Sequence, residues 1–222
     1  MILKNPRCYY NTRMQKSRFP YFTRRRILWL VIILVAIALY IPINQWQHGG
    51  VQLNLPVDSQ IPLFPPAIVP YLLGTVIFVV FPILAALYIK PKEFEAYAVS
   101  ILAATVVSFL AYLIFPTFVT RPEVTSNDFF SQVIKLLYQA DRSYNAAPSG
   151  HTFYTLISCF YINRWLLKLK WLWAMIAALV ILSTLFTRQH YILDLVCGLA
   201  LAILAYFAGR FAQKKWNLQF AS

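Results

Sequence analysis

Six apolar runs take up most of the chain: Ile27 to Ile43, Ala67 to Ile89, Ala96 to Phe115, Thr152 to Leu167, Trp171 to Thr187 and Tyr191 to Ala208. Their lengths fall near the roughly 20 residues an α-helix needs to cross a bilayer, the fourth and fifth being short. Pro70 and Pro82 lie in the second run, where a kink is expected and neighbouring helices can cover the freed backbone groups. Between the third and fourth runs, Phe129, Phe130, Val133, Ile134, Leu136 and Leu137 recur at helical spacing between Ser126, the expected cap, and Asp141. This predicts a short amphipathic helix, either at the membrane interface or as a lid on the bundle. The Gln- and Pro-rich linker from Asn44 to Pro66 reads as irregular, with His48 a solvated loop histidine and no chemistry of its own. The pattern predicts an all-α fold, an integral membrane bundle of six transmembrane helices with a short interfacial helix before the fourth span.

Composition agrees: 60% of the 222 residues are hydrophobic and 17% aromatic, with a mean hydropathy of +0.61. That excludes an ordinary soluble domain. The net charge of +13 punctuates the apolar runs without forming a stripe on a folded surface, so it speaks for membrane orientation and against a nucleic-acid partner. Residues 1–26 hold eight Lys or Arg and no acid, and read as a cytoplasmic arm lying on anionic lipid or as a disordered tail. A signal peptide cleaved near Ala36-Ile37-Ala38 fits less well, because the basic region and the first run are both too long. Lys90, Lys92, Arg164, Lys168, Lys170, Arg210, Lys214 and Lys215 fall on the side of that arm, whereas Asn44 to Pro66 has no Lys or Arg. Both termini are therefore expected in the cytoplasm, with a membrane domain over 27–211 and a cytoplasmic tail over 212–222. Cys8, Cys159 and Cys197 give no disulfide framework; Cys8 reads as a free cytosolic thiol, with palmitoylation the alternative.

Chemistry can live in two polar islands at the edges of apolar runs, Asn145-Ala-Ala-Pro148-Ser149-Gly150-His151 and Gln189-His190-Tyr191-Ile-Leu-Asp194. With Pro148 at the first helical position, the Ser149 and Gly150 N–H groups would be left for an anion at the positive end of the helix dipole, beside His151. His190 and Asp194, four apart, would share a helix face, with the carboxylate on one imidazole nitrogen and the other nitrogen free to attack. Asp194 is hard to explain as packing, because a carboxylate in an apolar run costs roughly 2.5 to 3.5 kcal/mol even on the lenient insertion scale. Each histidine alone could be a hydrogen-bonded core residue, Arg188 could be an interfacial anchor, and Tyr144 and Tyr191 read as packing.

Arg121-Pro122, Pro148-Ser149-Gly150-His151 and His190-x3-Asp194, in that order, resemble the three signature blocks of the type 2 phosphatidic acid phosphatase superfamily over residues 60–208. That superfamily also includes vanadium haloperoxidases, glucose-6-phosphatase and sphingolipid synthases. Two positions depart from its pattern: Ile114 stands where the first block has Lys, and Thr184 where the third has Arg. Arg188, Lys135 or Arg142 are the candidate replacements. The resemblance implies His190 as the nucleophile, Asp194 as its orienter and His151 as the acid for the leaving alkoxide, with Arg121, Ser149, Gly150 and Arg188 holding the phosphate oxygens. It implies no cofactor and no metal.

The expected function is metal-independent hydrolysis of a lipid phosphate or diphosphate monoester at the extracytoplasmic face through a phosphohistidine, with membrane lipids as the other partners. Two alternatives stand beside it. One is a head-group phosphotransferase of the sphingolipid-synthase type, which the His-Tyr-x-x-Asp wording resembles. The other is a catalytically silent lipid-binding or transport protein. The lipid and the oligomeric state stay open.

Overall fold

The structure is a computed structural model that describes residues 23–219, with side chains described through Lys215. The expectations for residues 1–22, Cys8 among them, lie outside the described residues. Eight α-helices form, with no strand among the described residues. They are α1 Arg24–Ala38, α2 Tyr40–Trp46, α3 Ile68–Tyr88, α4 Pro91–Ile114, α5 Phe129–Ala140, α6 Gly150–Trp165, α7 Lys170–Phe186 and α8 Ile192–Gln219.

Five stretches are long and apolar enough to cross a membrane: Arg24–Trp46, Pro65–Tyr88, Pro91–Ile114, Leu167–Phe186 and Ile192–Lys215. The sixth expected span is α6, whose 16 residues rise only about 24 Å, against a hydrocarbon core of about 30 Å. Apolar periodicity hides why it is short: the helix starts only at Gly150, after the fully buried cap Ser149. At the other end of the chain α8 continues to Gln219, helical through the start of the segment expected as a tail.

The helices pack around α6, which touches α3, α4, α7 and α8, while α4 lies along α8. Phe94, Tyr97, Ile101, Phe153, Ile157, Tyr161, Ala202 and Ala205 form the shared core. Between helices in lipid no hydrophobic gain drives association, so close packing of small residues and interhelical hydrogen bonds must do it. Hydroxyls supply the bonds: Tyr154 meets Thr105 at 2.8 Å and Tyr161 meets Ser100 at 3.1 Å. Outward, Val35, Val69, Val106, Leu179 and Leu204 leave an apolar surface.

The two ends of the bundle differ. At the Pro91 end of α4, Glu93 accepts from Arg164 of α6 at 3.0 Å and Arg210 of α8 at 2.8 Å. Arg26 donates to the Ala86 and Ile89 carbonyls, both at 2.7 Å. It thereby satisfies acceptors left open where α3 ends. Arg26 was expected in the basic arm on lipid, but α1 already starts at Arg24, capped by Thr23, and the Arg26 side chain is buried. At the Ile114 end lie the two islands and the linkers. The Asn44–Pro66 linker folds back on the bundle: a 3-10 turn at Pro56–Gln60 carries Asp58, whose Oδ1 accepts the Ile192 N–H at 3.0 Å. Asp128, not Ser126, caps α5 by accepting the Ser131 N–H. The buried side of α5 sits on Ile68 and Tyr71 of α3, while Phe129 and Leu136 stay exposed.

Two glycines set how closely α8 is approached. A Cβ at Gly198 would lie 2.8 Å from Thr152 Cβ and 2.9 Å from the Ser149 carbonyl oxygen, and one at Gly209 would collide with the Ala96 carbonyl oxygen. Gly198→Ala and Gly209→Ala should therefore each lower the thermal unfolding midpoint in detergent, at a cost of about 1–3 kcal/mol of overpacking. Leu204→Ala on the outer face should leave that midpoint nearly unchanged. Equal midpoints for all three variants would contradict this packing.

Candidate active site

The first island is held by backbone contacts on every side. Tyr112 Oη donates to the Pro148 carbonyl at 2.7 Å, the Ala147 N–H donates to Thr117 Oγ1 at 2.8 Å, and the Ser149 N–H donates to the Asp194 carbonyl at 3.0 Å. Asn44 Nδ2 donates to the Arg142 and Tyr144 carbonyls, which fixes the approach to Asn145. The helix begins two residues later than the sequence predicts, at Gly150. Ser149, not Pro148, borders its first turn, and the Ser149 hydroxyl accepts the Thr152 N–H at 3.4 Å. The Ser149 N–H is thus taken and its side chain fully buried. The N–H groups of Gly150 and His151, by contrast, make no hydrogen bond.

The second island also differs from a single helix face. His190 precedes α8, in a turn whose N–H groups at Gln189 and His190 donate to the Thr184 carbonyl. Asp194 reaches back from the first turn of α8. Its Oδ2 accepts the Tyr191 N–H at 2.8 Å and lies 3.5 Å from His190 Nδ1, in a fully buried position. The carboxylate therefore acts on the side of Nδ1, and Nε2 is the nitrogen left for chemistry.

The two histidines meet at one cavity of about 100 Å³, their ring centroids 6.4 Å apart. Arg121, Asn145, Gly150 and Gln189 line it with them, and Tyr40, Tyr71, Phe78 and Tyr154 supply aromatic walls. Pockets that bury a drug-sized ligand run to roughly 300–1,000 Å³, so this one has room for a small group only. His151 is clamped by stacking on Tyr71 at 4.0 Å and by the edge of Phe78 at 4.9 Å, with Nε2 3.3 Å from Thr75 Oγ1.

Arg121 lies at the rim, positioned by the neighbouring Thr120 N–H, which donates to Tyr191 Oη at 3.1 Å. Its guanidinium stands 4.7 Å over the Tyr138 ring. It donates to the Asp141 carbonyl at 2.6 Å, to the Tyr138 and Arg142 carbonyls at longer range, and to Gln189 Oε1. Asp141, also on the lining, accepts from Tyr40 Oη at 2.9 Å. Burial pushes its carboxyl above the usual range, although Arg121 and the Tyr40 hydroxyl act the other way.

Of the predicted site residues, the structure gathers His151, His190, Gly150 and Arg121 on the cavity, with Asp194 behind His190. Ser149 and Arg188 do not line it. Arg188 donates to the carbonyls of Asp58 at 2.6 Å and Ile61 at 3.0 Å, so its visible role is to tie the linker to the second island. Lys135 donates to Asn127 Oδ1 at 2.9 Å on the surface, and only Arg142 of the three candidate replacements borders the cavity. Ile114 is 79% exposed on the outside of the bundle. Thr184 is buried, its hydroxyl on the Ile181 carbonyl. Sequence reasoning missed Tyr71, Asn145, Gln189 and Asp141 as lining residues and Asp58 as an anchor. Asn145 and Gln189 stood inside the islands, but nothing in their spacing tells an amide that faces a cavity from one that faces solvent. Among the described residues no group of three or more His, Cys, Asp or Glu side chains could hold a metal ion.

No curated protein and no solved structure matches the chain. A family model does, the PAP2 superfamily, over residues 51–208. That stretch covers everything from the linker bearing Asp58 through most of α8, with every lining residue except Ile37 and Tyr40 inside it. This chain belongs to the PAP2 superfamily.

Proposed function

We propose that the chain is a membrane phosphoric monoester hydrolase that cleaves a lipid phosphate or diphosphate through a phosphohistidine. PAP2 superfamily membership supports phosphatase-type activity, and five long apolar helices are compatible with a multi-pass membrane protein. The observation that carries the finer reading is the pair of imidazoles 6.4 Å apart across one cavity, with the Asp194 carboxylate beside only one of them.

His190 Nε2 attacks phosphorus, and the bond from phosphorus to the lipid oxygen breaks. His151 gives that oxygen a proton and leaves as the neutral imidazole. It then takes a proton from the water that attacks the phosphohistidine, and inorganic phosphate departs with His190 restored. Asp194 holds Nδ1–H in place and stabilises the positive ring that forms, the role a carboxylate plays behind a catalytic histidine. A phosphoryl centre of this kind needs positioned donors more than covalent help. The Gly150 and His151 N–H groups, at the positive end of the α6 dipole, are two such donors. Two of the aromatic walls, Tyr71 and Phe78, hold the His151 ring for its proton transfers, and α6 serves as the sixth, short span, with α5 at the interface.

The basic residues Arg25, Lys90, Lys92, Arg164, Lys168, Lys170 and Arg210 gather at the end of the bundle away from the cavity. By the positive-inside bias the cavity then opens to the extracytoplasmic face. Cysteine labelling from outside intact cells should reach a probe at Gly49 and miss one at Lys92; the opposite result would put the site in the cytoplasm.

A second reading, transfer to an alcohol, is favoured by one observation: neither family cation at positions 114 and 184 is present. Water and alcohol differ only in what resolves the phosphohistidine. Labelled donor that releases free phosphate, at a rate no acceptor lipid raises, would leave hydrolysis alone. Activity should survive EDTA, and its complete loss would overturn the metal-free route.

The histidines should fail differently, because a leaving-group acid matters only as far as the leaving oxygen is basic. With an activated aryl phosphate, His151→Ala should keep substantial activity and His190→Ala should keep none. An alkyl lipid phosphate should expose both, and Asp194→Asn should fall between. Phosphoenzyme trapped on His151, or full activity of His190→Ala, would reverse the roles.

A further inference from the structure

Counting donors on the cavity leaves a gap. A guanidinium has five N–H groups. In Arg121, Nη1 is used by the Asp141 and Tyr138 carbonyls and Nη2 by the Arg142 carbonyl and Gln189 Oε1, which leaves only Nε, buried and unpartnered. With Ile114 turned outward and Thr184 bonded to its own helix, no further cation stands at the family's places. Arg142 borders the cavity with Nη1 on the Gln45 carbonyl and its guanidinium 4.8 Å over the Tyr144 ring; beside it and Arg121 Nε, the three equatorial oxygens of a phosphoryl group have room for further donors.

Two amides on the lining are free. Asn145 is 2% exposed, and neither its Nδ2 nor its Oδ1 has a hydrogen-bond partner. Gln189 is 5% exposed, and its Nε2 is unpartnered too. Its orientation is not arbitrary: arginine only donates, so the atom facing Arg121 must be the oxygen, and the NH₂ group is thereby aimed away. Burying an amide without a partner costs about 1–3 kcal/mol. Both sit beside the free N–H groups of Gly150 and His151.

We infer that Asn145 and Gln189 bind the phosphoryl oxygens, as neutral donors standing in for the two absent cations. The inference rests on the phosphoryl-transfer reading for its chemistry, but it makes a binding claim that can be read without turnover. Arg121 then has two tasks: its Nε donates to the phosphoryl group, and its Nη2 orients the Gln189 amide.

The structural alternatives are specific. Asn145 has φ 59°, so it could be present only because it tolerates that backbone. Gln189 could be present only to hold Arg121. Asn145→Gly keeps the backbone freedom and removes the amide; Gln189→Glu keeps an oxygen for Arg121 and removes the NH₂. The experiment is calorimetric titration of the purified full chain in detergent with orthovanadate, alongside kcat and KM for an aryl phosphate. Each variant should weaken vanadate binding by about ten- to hundredfold and lower kcat/KM with it, at an unfolding midpoint near that of the parent chain. Asn145→Asp, which keeps the side-chain volume and adds a negative charge, should lose vanadate binding as well and covers the case in which the glycine variant does not fold. Vanadate affinity within about threefold of the parent for both Asn145→Gly and Gln189→Glu would overturn the inference, as would a parent chain that binds no vanadate. A parent chain that binds vanadate through both amides yet cleaves no phosphate ester would sink the hydrolase reading and leave the binding assignment standing.

Discussion

The hydrogen bond from the Ser149 N–H to the Asp194 carbonyl joins the start of α6 to the start of α8, and the site depends on that junction. It places the free N–H groups of Gly150 and His151 beside the turn that carries His190, so that the positive end of one helix and the imidazole before the other face the same small volume. Gly198 lets the backbones come this close, since any side chain there would press on Thr152 and on the Ser149 carbonyl. The two islands are remote in sequence. A backbone bond between them is more exacting than a side-chain contact, because it fixes position and direction together.

The supports are distributed so that each part of the junction is held from outside. Asp58 takes the Ile192 N–H and so fixes the entrance to α8, while Arg188 ties the same linker to the second island. Tyr112 and Thr117 hold the residues before α6, and Asn44 holds those before Asn145. These partners come from four separate stretches of chain. Rigid presentation of the histidines follows from that convergence, with few of the supporting residues touching the cavity themselves.

Hydrophobic runs made the helices legible, because length and apolarity are what a bilayer demands of a span, and the three blocks made legible that Arg121, Gly150, His151, His190 and Asp194 would come together. What could not be read was geometry within a turn. Four-residue spacing puts His190 and Asp194 near each other whether or not both are helical, so the contact was foreseen and its construction was not: Asp194 caps the helix from within while His190 stands outside. Likewise Pro148 fits a first helical position by propensity, yet the bonds on Pro148 and Ser149 delay the helix to Gly150. Arg188 shows the remaining blind spot. A cation two residues from a nucleophile reads as a ligand, but the carbonyls that it meets belong to a linker more than a hundred residues away in sequence, and nothing local announces them.

Orphaned polar atoms carry the last step. Among the described residues some run along α6, as at Thr152, Thr155 and Ser158, while on the cavity three are donors: Asn145 Nδ2, Arg121 Nε and Gln189 Nε2. A fold that pairs Glu93 with two arginines and Asn44 with three backbone partners has the means to satisfy buried groups. Leaving several unsatisfied in one place costs stability that the rest of the bundle must offset. Such a cost is tolerable where a bound anion returns it, because donors that are already aimed and already desolvated need no reorganisation when the negative charge arrives.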